Sequence, residues 1–125
     1  MAYPKELKYT KDHEWMREKG GEAVIGITSY ALEQLSDVVH LDLPEVGATF
    51  KVGDSFGTIE STKTVSDLYM PVGGKIIEVN KDLLSRLETI DKDPYDKGWL
   101  VKVQVTEAGS GLLTAAEYES FIAES

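Results

Sequence analysis

The 125-residue sequence contains no cysteine. The chain therefore forms no disulfide, no thiolate metal site and no thiol nucleophile, and any dithiol chemistry must come from a bound cofactor. It also lacks a run of about 18 apolar residues, which argues against a transmembrane helix and a membrane partner. Residues 1–6 have neither an apolar signal region nor the composition of a transit peptide. We therefore expect a cytoplasmic protein.

Basic residues are few: 13 Lys and Arg stand against 22 Asp and Glu, a formal charge of -9. Nucleic-acid binding depends on clustered Lys and Arg, so we expect no nucleic-acid partner. The acidity serves solubility, and it can also steer the chain toward basic patches on partner proteins. The two histidines, His13 and His40, are far apart and lie in no cluster of metal ligands. We therefore expect no metal site.

The length fits a single domain over residues 1–125, and no low-complexity linker divides it. Many short apolar runs separated by glycine turns predict a mainly β fold, either a sandwich or a barrel, with a few short helices.

Local signals place several elements. The Gly20-Gly21 pair predicts the turn of a β-hairpin, because glycine takes positive φ freely. Thr28 can cap a short helix. Thr114 and Glu117 form a capping box that starts a C-terminal helix at about 114–124. The remaining predictions are strands at 38–43 and 99–105, strand material at 50–61 that is interrupted at Gly53-Asp54 and Gly57, two strands at 68–72 and 75–79 joined by Gly73-Gly74, and one or two helical turns at 83–90.

The stretch from about 57 to 75 is the most informative part of the sequence. Two extended runs flank Lys63, so a hairpin would place this lysine near its tip. A lysine amine forms a stable amide with a carboxylic acid cofactor, and acylation removes the charge, so the finished arm can enter an apolar cleft. An ordinary solvated lysine in a turn also explains the pattern.

This stretch resembles the lipoyl-attachment region of glycine cleavage H proteins, whose pattern is roughly Gly-x-Val/Ile-Glu-Ser-x-Lys-x-x-Ser-Asp-x-Tyr-x-Pro-Val-x-Gly. The resemblance continues along nearly the whole chain, and several ordered blocks are more specific than one short motif. The matching residues are Gly57, Ile59, Glu60, Ser61, Lys63, Ser66, Asp67, Tyr69, Pro71, Val72 and Gly74, with further blocks at His13-Glu14-Trp15, 26–31, 43–47, Asn80, Pro94-Tyr95 and Gly98-Trp99.

The sequence departs from the family pattern at a few places. Ser36 stands where the family often has glycine before aspartate. None of the departures touches Lys63 or its acidic neighbours, so they bear on loop detail and partner contact more than on cofactor attachment. The others are Met70, Gly73, Leu87, Asp91 and Asp96.

The resemblance implies a lipoyl-domain-like hybrid barrel or sandwich with lipoic acid in amide linkage on Lys63. It implies a non-catalytic, monomeric carrier that shuttles the aminomethyl group of glycine between three enzymes. These are the glycine decarboxylase (P protein), the aminomethyltransferase (T protein) and dihydrolipoyl dehydrogenase (L protein). A lipoylating enzyme would be a further partner.

By the same resemblance, Glu14 and Asp67 would contact the cationic amine of the loaded arm, with Glu14 the better candidate. Glu60 and Ser61 have two interpretations: they stabilise the hairpin locally, or the lipoylating enzyme reads them. We favour the second.

Four alternatives stay open. A relay protein that passes lipoate to other lipoyl domains would share this sequence pattern. A biotin carrier usually has methionine on both sides of its lysine, whereas Thr62 and Thr64 flank Lys63. A hydrolase could use Glu14 and Asp67 as paired carboxylates, although no nucleophile or oxyanion motif accompanies them. An interaction module with an unmodified Lys63 is the last.

Overall fold

The computed structural model describes residues 3–109 and 111–124. These residues form nine strands and four short helices. The strands are β1 (Lys8–Tyr9), β2 (Glu14–Lys19), β3 (Glu22–Ile27), β4 (Val38–Asp42), β5 (Thr49–Phe50), β6 (Ser55–Ser61), β7 (Val65–Tyr69), β8 (Gly73–Val79) and β9 (Val101–Glu107). The helices are α1 (Ser29–Leu35), α2 (Lys81–Ser85), α3 (Glu88–Lys92) and α4 (Ala115–Ala123).

The strands form two antiparallel sheets. The larger sheet has the order β1-β2-β3-β9-β8-β5, and the smaller sheet has the order β4-β6-β7. The predicted fold class is confirmed: the protein is mainly β, with two sheets and short helices that include one at the C-terminus.

The hairpin of β2 and β3 turns where the sequence predicts it. Gly20 and Gly21 have φ angles of 60° and 81°, which suit glycine in a two-residue hairpin turn. Further along the same pair, Trp15 lies opposite Gly26. A Cβ atom on Gly26 would lie 2.4 Å from the indole ring, so only glycine leaves room for this buried tryptophan. The indole Nε1 donates a hydrogen bond to the Pro94 carbonyl at 2.9 Å.

The hydrophobic core has two parts. The main part takes side chains from both sheets and α1, among them Ile25, Ile59, Ile76 and Leu32. The second part lies beneath α4, whose capping box between Thr114 and Glu117 is confirmed. Because successive strand residues point to opposite faces, β2 sends Met16 to the main core and its neighbour Trp15 to the second. The second part consists of Leu7, Tyr9, Trp15, Ala115 and Tyr118.

The predicted hairpin at 57–75 needs a correction at its end. The paired strands are Ser55–Ser61 and Val65–Tyr69, and Gly73-Gly74 is no turn between strands at 68–72 and 75–79. Instead, both glycines begin β8 and pair with β9 in the larger sheet. A Cβ on Gly74 would lie 2.6 Å from the Gln104 carbonyl oxygen. Close strand packing therefore explains this glycine.

The predicted helical turns at 83–90 also differ from the structure, which has two separate five-residue helices, α2 and α3. Each contributes one buried side chain, Leu83 and Ile90, to the main core. Among the described residues, none of the helices is long and apolar enough to cross a bilayer.

Candidate functional site

Lys63 is the middle one of the three residues between β6 and β7, and its side chain is exposed. The buried Ser61 fixes this turn. Its backbone N–H donates to the Thr64 carbonyl at 2.8 Å. Its hydroxyl oxygen accepts hydrogen bonds from the backbone N–H groups of Lys63 (3.2 Å) and Thr64 (3.1 Å). The main chain of Lys63 is therefore held in place while its side chain is free.

Strand β4 supports the same hairpin. The Thr62 N–H donates to the carbonyl of Asp37, the residue before β4, at 3.2 Å. At the base of the hairpin, a Cβ on Gly57 would lie 2.1 Å from the Asp42 carbonyl oxygen, so a side chain there would push the strands apart. Both the tip and the base of the hairpin are thus fixed against β4.

The two acidic residues near the turn differ in their burial and in their contacts. Glu60 is half-buried and lies opposite Val65 in β7. Asp67 is exposed, and its Oδ1 accepts a hydrogen bond from the Ser55 hydroxyl at 3.1 Å. The negative charge of Asp67 raises the pKa of Tyr69. The hydrogen bonds of Ser61 to Lys63 and Thr64 show that it shapes the turn. Recognition of Glu60 or Ser61 by a lipoylating enzyme stays a prediction.

Glu14 is a buried carboxyl group with a relative exposure of 2%. Its Oε1 accepts a hydrogen bond from the Thr10 hydroxyl at 2.6 Å, and its Oε2 accepts one from the Tyr69 N–H at 3.2 Å. Burial raises the pKa of Glu14 from 4.5 to about 8, although these two hydrogen bonds act in the opposite direction. At neutral pH the group is therefore mainly protonated and uncharged.

Glu14 and Asp67 line the same cleft, which has a volume of about 340 Å³. Neither Lys63, Glu60 nor Ser61 lines it. However, β7 joins the two places, because Ser66 at the cleft follows Lys63 by three residues, roughly 10 Å of extended chain. The remaining lining residues are Asp12, His13, Ile27, Tyr30, Ala31, Gln34, Leu35, Ile59 and Leu68.

His13 also lines the cleft, a position that no motif in the sequence predicted. Its φ angle of 71° is unusual for a residue other than glycine. Its ring contacts Tyr30, and burial lowers its pKa. No local sequence signal predicts a positive φ at a histidine. The position of His13 at the cleft is therefore visible only in the structure. No group of three His, Cys, Asp or Glu side chains suited to a metal ion occurs within residues 3–109 and 111–124.

Together, a small two-sheet domain, an exposed lysine on a rigid turn and an adjacent cleft are typical of carrier domains that bear an acyl cofactor on a hairpin lysine. Comparison with known proteins narrows this class. The model of the glycine cleavage H-protein family matches residues 7–125. The chain therefore belongs to the glycine cleavage H-protein family, the lipoyl carriers of the glycine cleavage system.

Individual relatives agree. The chain is 52% identical over 119 residues to a glycine cleavage system H protein of Herpetosiphon aurantiacus, covering 95% of this chain and 92% of the relative. It is 47% identical over 126 residues to one from Anaeromyxobacter sp. strain K, covering 99% and 98%. The crystal structure of a glycine cleavage system H protein from Mycobacterium marinum superposes with a TM-score of 0.91 at 46% identity, covering 97% of this chain and 99% of that one. The predicted family and a role in glycine cleavage are thereby confirmed.

Proposed function

We propose that Lys63 carries lipoic acid in amide linkage and that this chain shuttles the aminomethyl group of glycine among the P, T and L proteins. Lys63 would hold the lipoyl group, which would supply the disulfide–dithiol chemistry needed to carry the aminomethyl group that remains after the P protein removes carbon dioxide from glycine. The chain would serve these three enzymes as a shared substrate and would catalyse none of the steps itself.

The observation that carries the proposal is the geometry of Lys63. The Ser61 hydroxyl accepts hydrogen bonds from the N–H groups of Lys63 and Thr64, while the lysine side chain is exposed. A modifying enzyme can reach such a side chain, and a rigid base limits the directions in which a long arm projects. Tethering then gives the arm a high effective concentration at any active site on which the protein docks.

The cleft supports a second part of the proposal, namely that it stores the loaded arm. The carried amine is cationic near neutral pH, and Glu14 at the cleft is held uncharged mainly by burial. A cation beside this group would lower its pKa, so Glu14 would ionise and pair with the arriving charge. Asp67 lies at the same cleft and would add a second carboxylate. A site of this kind would also shield the labile adduct from water.

The first experiment locates the cofactor. The protein is expressed in cells that make lipoate and also contain a biotin ligase, and its intact mass and fragmentation pattern are measured. We expect a lipoyl group on Lys63 alone. A biotinyl group, another acylated lysine, or a bare Lys63 would each contradict the proposal.

The second experiment reconstitutes the protein with purified P, T and L proteins and a lipoylating enzyme. We expect glycine-dependent release of ammonia that requires the acylated chain. If the acylated chain supports no glycine-dependent turnover but donates lipoate to other lipoyl domains, it is a relay protein and the shuttle proposal fails.

A further inference from the structure

The hydroxyl group of Tyr118, in the C-terminal helix α4, lies at the junction of two distant parts of the chain. Its oxygen is 2.8 Å from His13 Nδ1 and 2.8 Å from Thr28 Oγ1. The tyrosine side chain is fully buried, and burial raises its pKa, so the hydroxyl keeps its proton. One hydroxyl group thus connects two side chains that are separated from it by 105 and 90 residues.

These two partners belong to the two walls of the cleft that contains Glu14. His13 lines one wall itself and immediately precedes Glu14. Thr28 caps the other wall, because its Oγ1 accepts the Ala31 N–H at the start of α1, and Ala31 lines the cleft. The Thr28 N–H also donates to the His13 carbonyl at 3.0 Å. The walls therefore meet at a small hydrogen-bonded junction closed by Tyr118.

The backbone of His13 needs such support. Its φ of 71° belongs to the left-handed region, which residues with a Cβ adopt only when surrounding contacts enforce it. The Tyr118 ring packs against the imidazole edge-on, at 5.8 Å between ring centroids, in addition to the hydrogen bond. Tyr118 itself does not line the cleft.

We propose that Tyr118 is a positioning residue that fixes the spacing of the two cleft walls, so that α4 controls how well the cleft retains a loaded arm. This inference rests on the proposed function. It assigns to the C-terminal helix a role in the carrier cycle besides its packing on the second part of the core.

The chain offers a matched control in Tyr9. Its ring stacks on Tyr118 at 4.9 Å, it is equally buried, and its hydroxyl donates to the Pro4 carbonyl at 2.6 Å, without contact to the cleft. The variants Tyr118→Phe and Tyr9→Phe each remove one buried hydroxyl from the same aromatic cluster. A general loss of stability should affect both alike.

The test measures ammonia release from lipoylated protein that has been loaded with the aminomethyl group and separated from the P protein. We expect release from Tyr118→Phe to be at least roughly fivefold faster than from wild type, because the variant loses the hydrogen-bond contacts with both His13 and Thr28, and release from Tyr9→Phe to be unchanged. The rate of lipoylation should be the same in all three proteins, because Lys63 lies on the smaller sheet.

A second measurement needs no cofactor. Hydrogen exchange at the Thr28 and Ala31 amides should be faster in Tyr118→Phe than in Tyr9→Phe, while amides of the β6–β7 hairpin should not differ. Equal effects of the two variants on release or on exchange would overturn the positioning role.

The variant Glu14→Ala separates this inference from the proposed function. If Glu14→Ala releases ammonia faster and Tyr118→Phe does not, the positioning role is wrong and the stored-arm proposal stands. If the protein never acquires a lipoyl group, the proposed function fails, and the exchange comparison on the unmodified protein alone decides whether Tyr118 positions the cleft walls.

Discussion

The hairpin turn and the cleft differ in which part of the candidate functional residue is held in place. At the turn, the main chain of Lys63 is fixed by Ser61 while the side chain is exposed. At the cleft, the side chain of Glu14 is fixed by Thr10 and by the N–H of Tyr69, and water is nearly excluded from it. Lys63 belongs to the β6–β7 hairpin of the smaller sheet, whereas Glu14 belongs to β2 of the larger sheet and lies at a cleft that both sheets line.

Strand β7 connects the two regions. Lys63 precedes it, Ser66 and Asp67 face the cleft from its middle, and Tyr69 at its end holds Glu14. The exposed turn is held by hydrogen bonds to Ser61 and to Asp37, the residue before β4. By contrast, an uncharged buried carboxyl lowers the stability of the fold at neutral and alkaline pH. A variant at Lys63 should therefore change acylation and leave the stability of the fold unchanged, whereas a variant at Glu14 should change the stability and leave acylation unchanged.

The largest expected effect is at Lys63. Lys63→Arg should abolish acylation and glycine-dependent turnover completely, because arginine keeps the charge but offers no amine for an amide bond. The free energy of unfolding should change by less than about 0.5 kcal/mol, since the side chain is exposed. Intact mass, turnover and denaturant unfolding measure these quantities. Lys51→Arg, at another exposed loop lysine, is the control and should leave acylation intact.

Glu14→Gln should leave acylation normal and change the stability of the fold, unlike Lys63→Arg. Folding raises the pKa of Glu14 from 4.5 to about 8, so the folded state holds a proton that the unfolded state releases between these values. The contribution of Glu14 is thus fully present below pH 4.5 and declines as pH rises toward 8, by about 1.4 kcal/mol per pH unit. Glutamine does not titrate and retains hydrogen-bonding groups.

The stability difference between Glu14→Gln and wild type should therefore grow in favour of the variant, on the order of 3 kcal/mol between pH 5 and pH 8. Urea unfolding at several pH values measures it. Glu60→Gln is the control on an acidic residue that is only half-buried. A difference that is independent of pH would show that Glu14 is ionised in the empty cleft.

A smaller effect is expected for Ser61→Ala. The variant leaves the Lys63 and Thr64 N–H groups without their acceptor and should destabilise the fold by about 1 kcal/mol. It should also slow lipoylation, because the lysine would no longer be held in one orientation. Thr62→Ala, an exposed neighbour in the turn, should change neither quantity. Unfolding curves and initial lipoylation rates provide the readouts.

The smallest effect concerns Ser36, which lies between the cleft wall α1 and Asp37, the anchor of the hairpin tip. Its φ of 68° and ψ of -138° are strained for any residue with a Cβ. Ser36→Gly should therefore raise the free energy of unfolding by about 1 kcal/mol. Ser36→Ala keeps the strain and should give no gain; a gain from alanine as well would rule out backbone strain as the cause.

Local sequence signals predicted much of the fold. The turn at Gly20-Gly21, the cap at Thr28 and the capping box at Thr114 each depend on residues close together in the chain, and all three are confirmed. The pairing of Gly73-Gly74 was wrong because it depends on β9, some 30 residues away. A glycine pair alone does not distinguish a tight turn from a strand that packs closely against its neighbour.

At the site as well, features that depend on neighbouring residues were predicted, and features that depend on distant residues were not. The position of Lys63 between two extended runs was visible in the sequence, as was its likeness to an attachment motif. The burial of Glu14 was not, because it depends on Thr10, which follows β1, and Tyr69, in β7, meeting at one carboxyl group. Ser36 is informative in retrospect: the family often has glycine there, and the positive φ supplies the physical reason.

The contacts of β4 with the attachment hairpin have a practical consequence. Asp37 holds the tip, and the carbonyl of Asp42 occupies the space where Gly57 would have a Cβ. A synthetic peptide of residues 55–69 would lack both contacts, so it should be a poor mimic of the folded substrate for an acylating enzyme. Grafting the motif onto another scaffold would require a strand equivalent to β4 as well. Gly57 would then be needed for close packing against that strand, and it would have no influence on which acid is attached to the lysine.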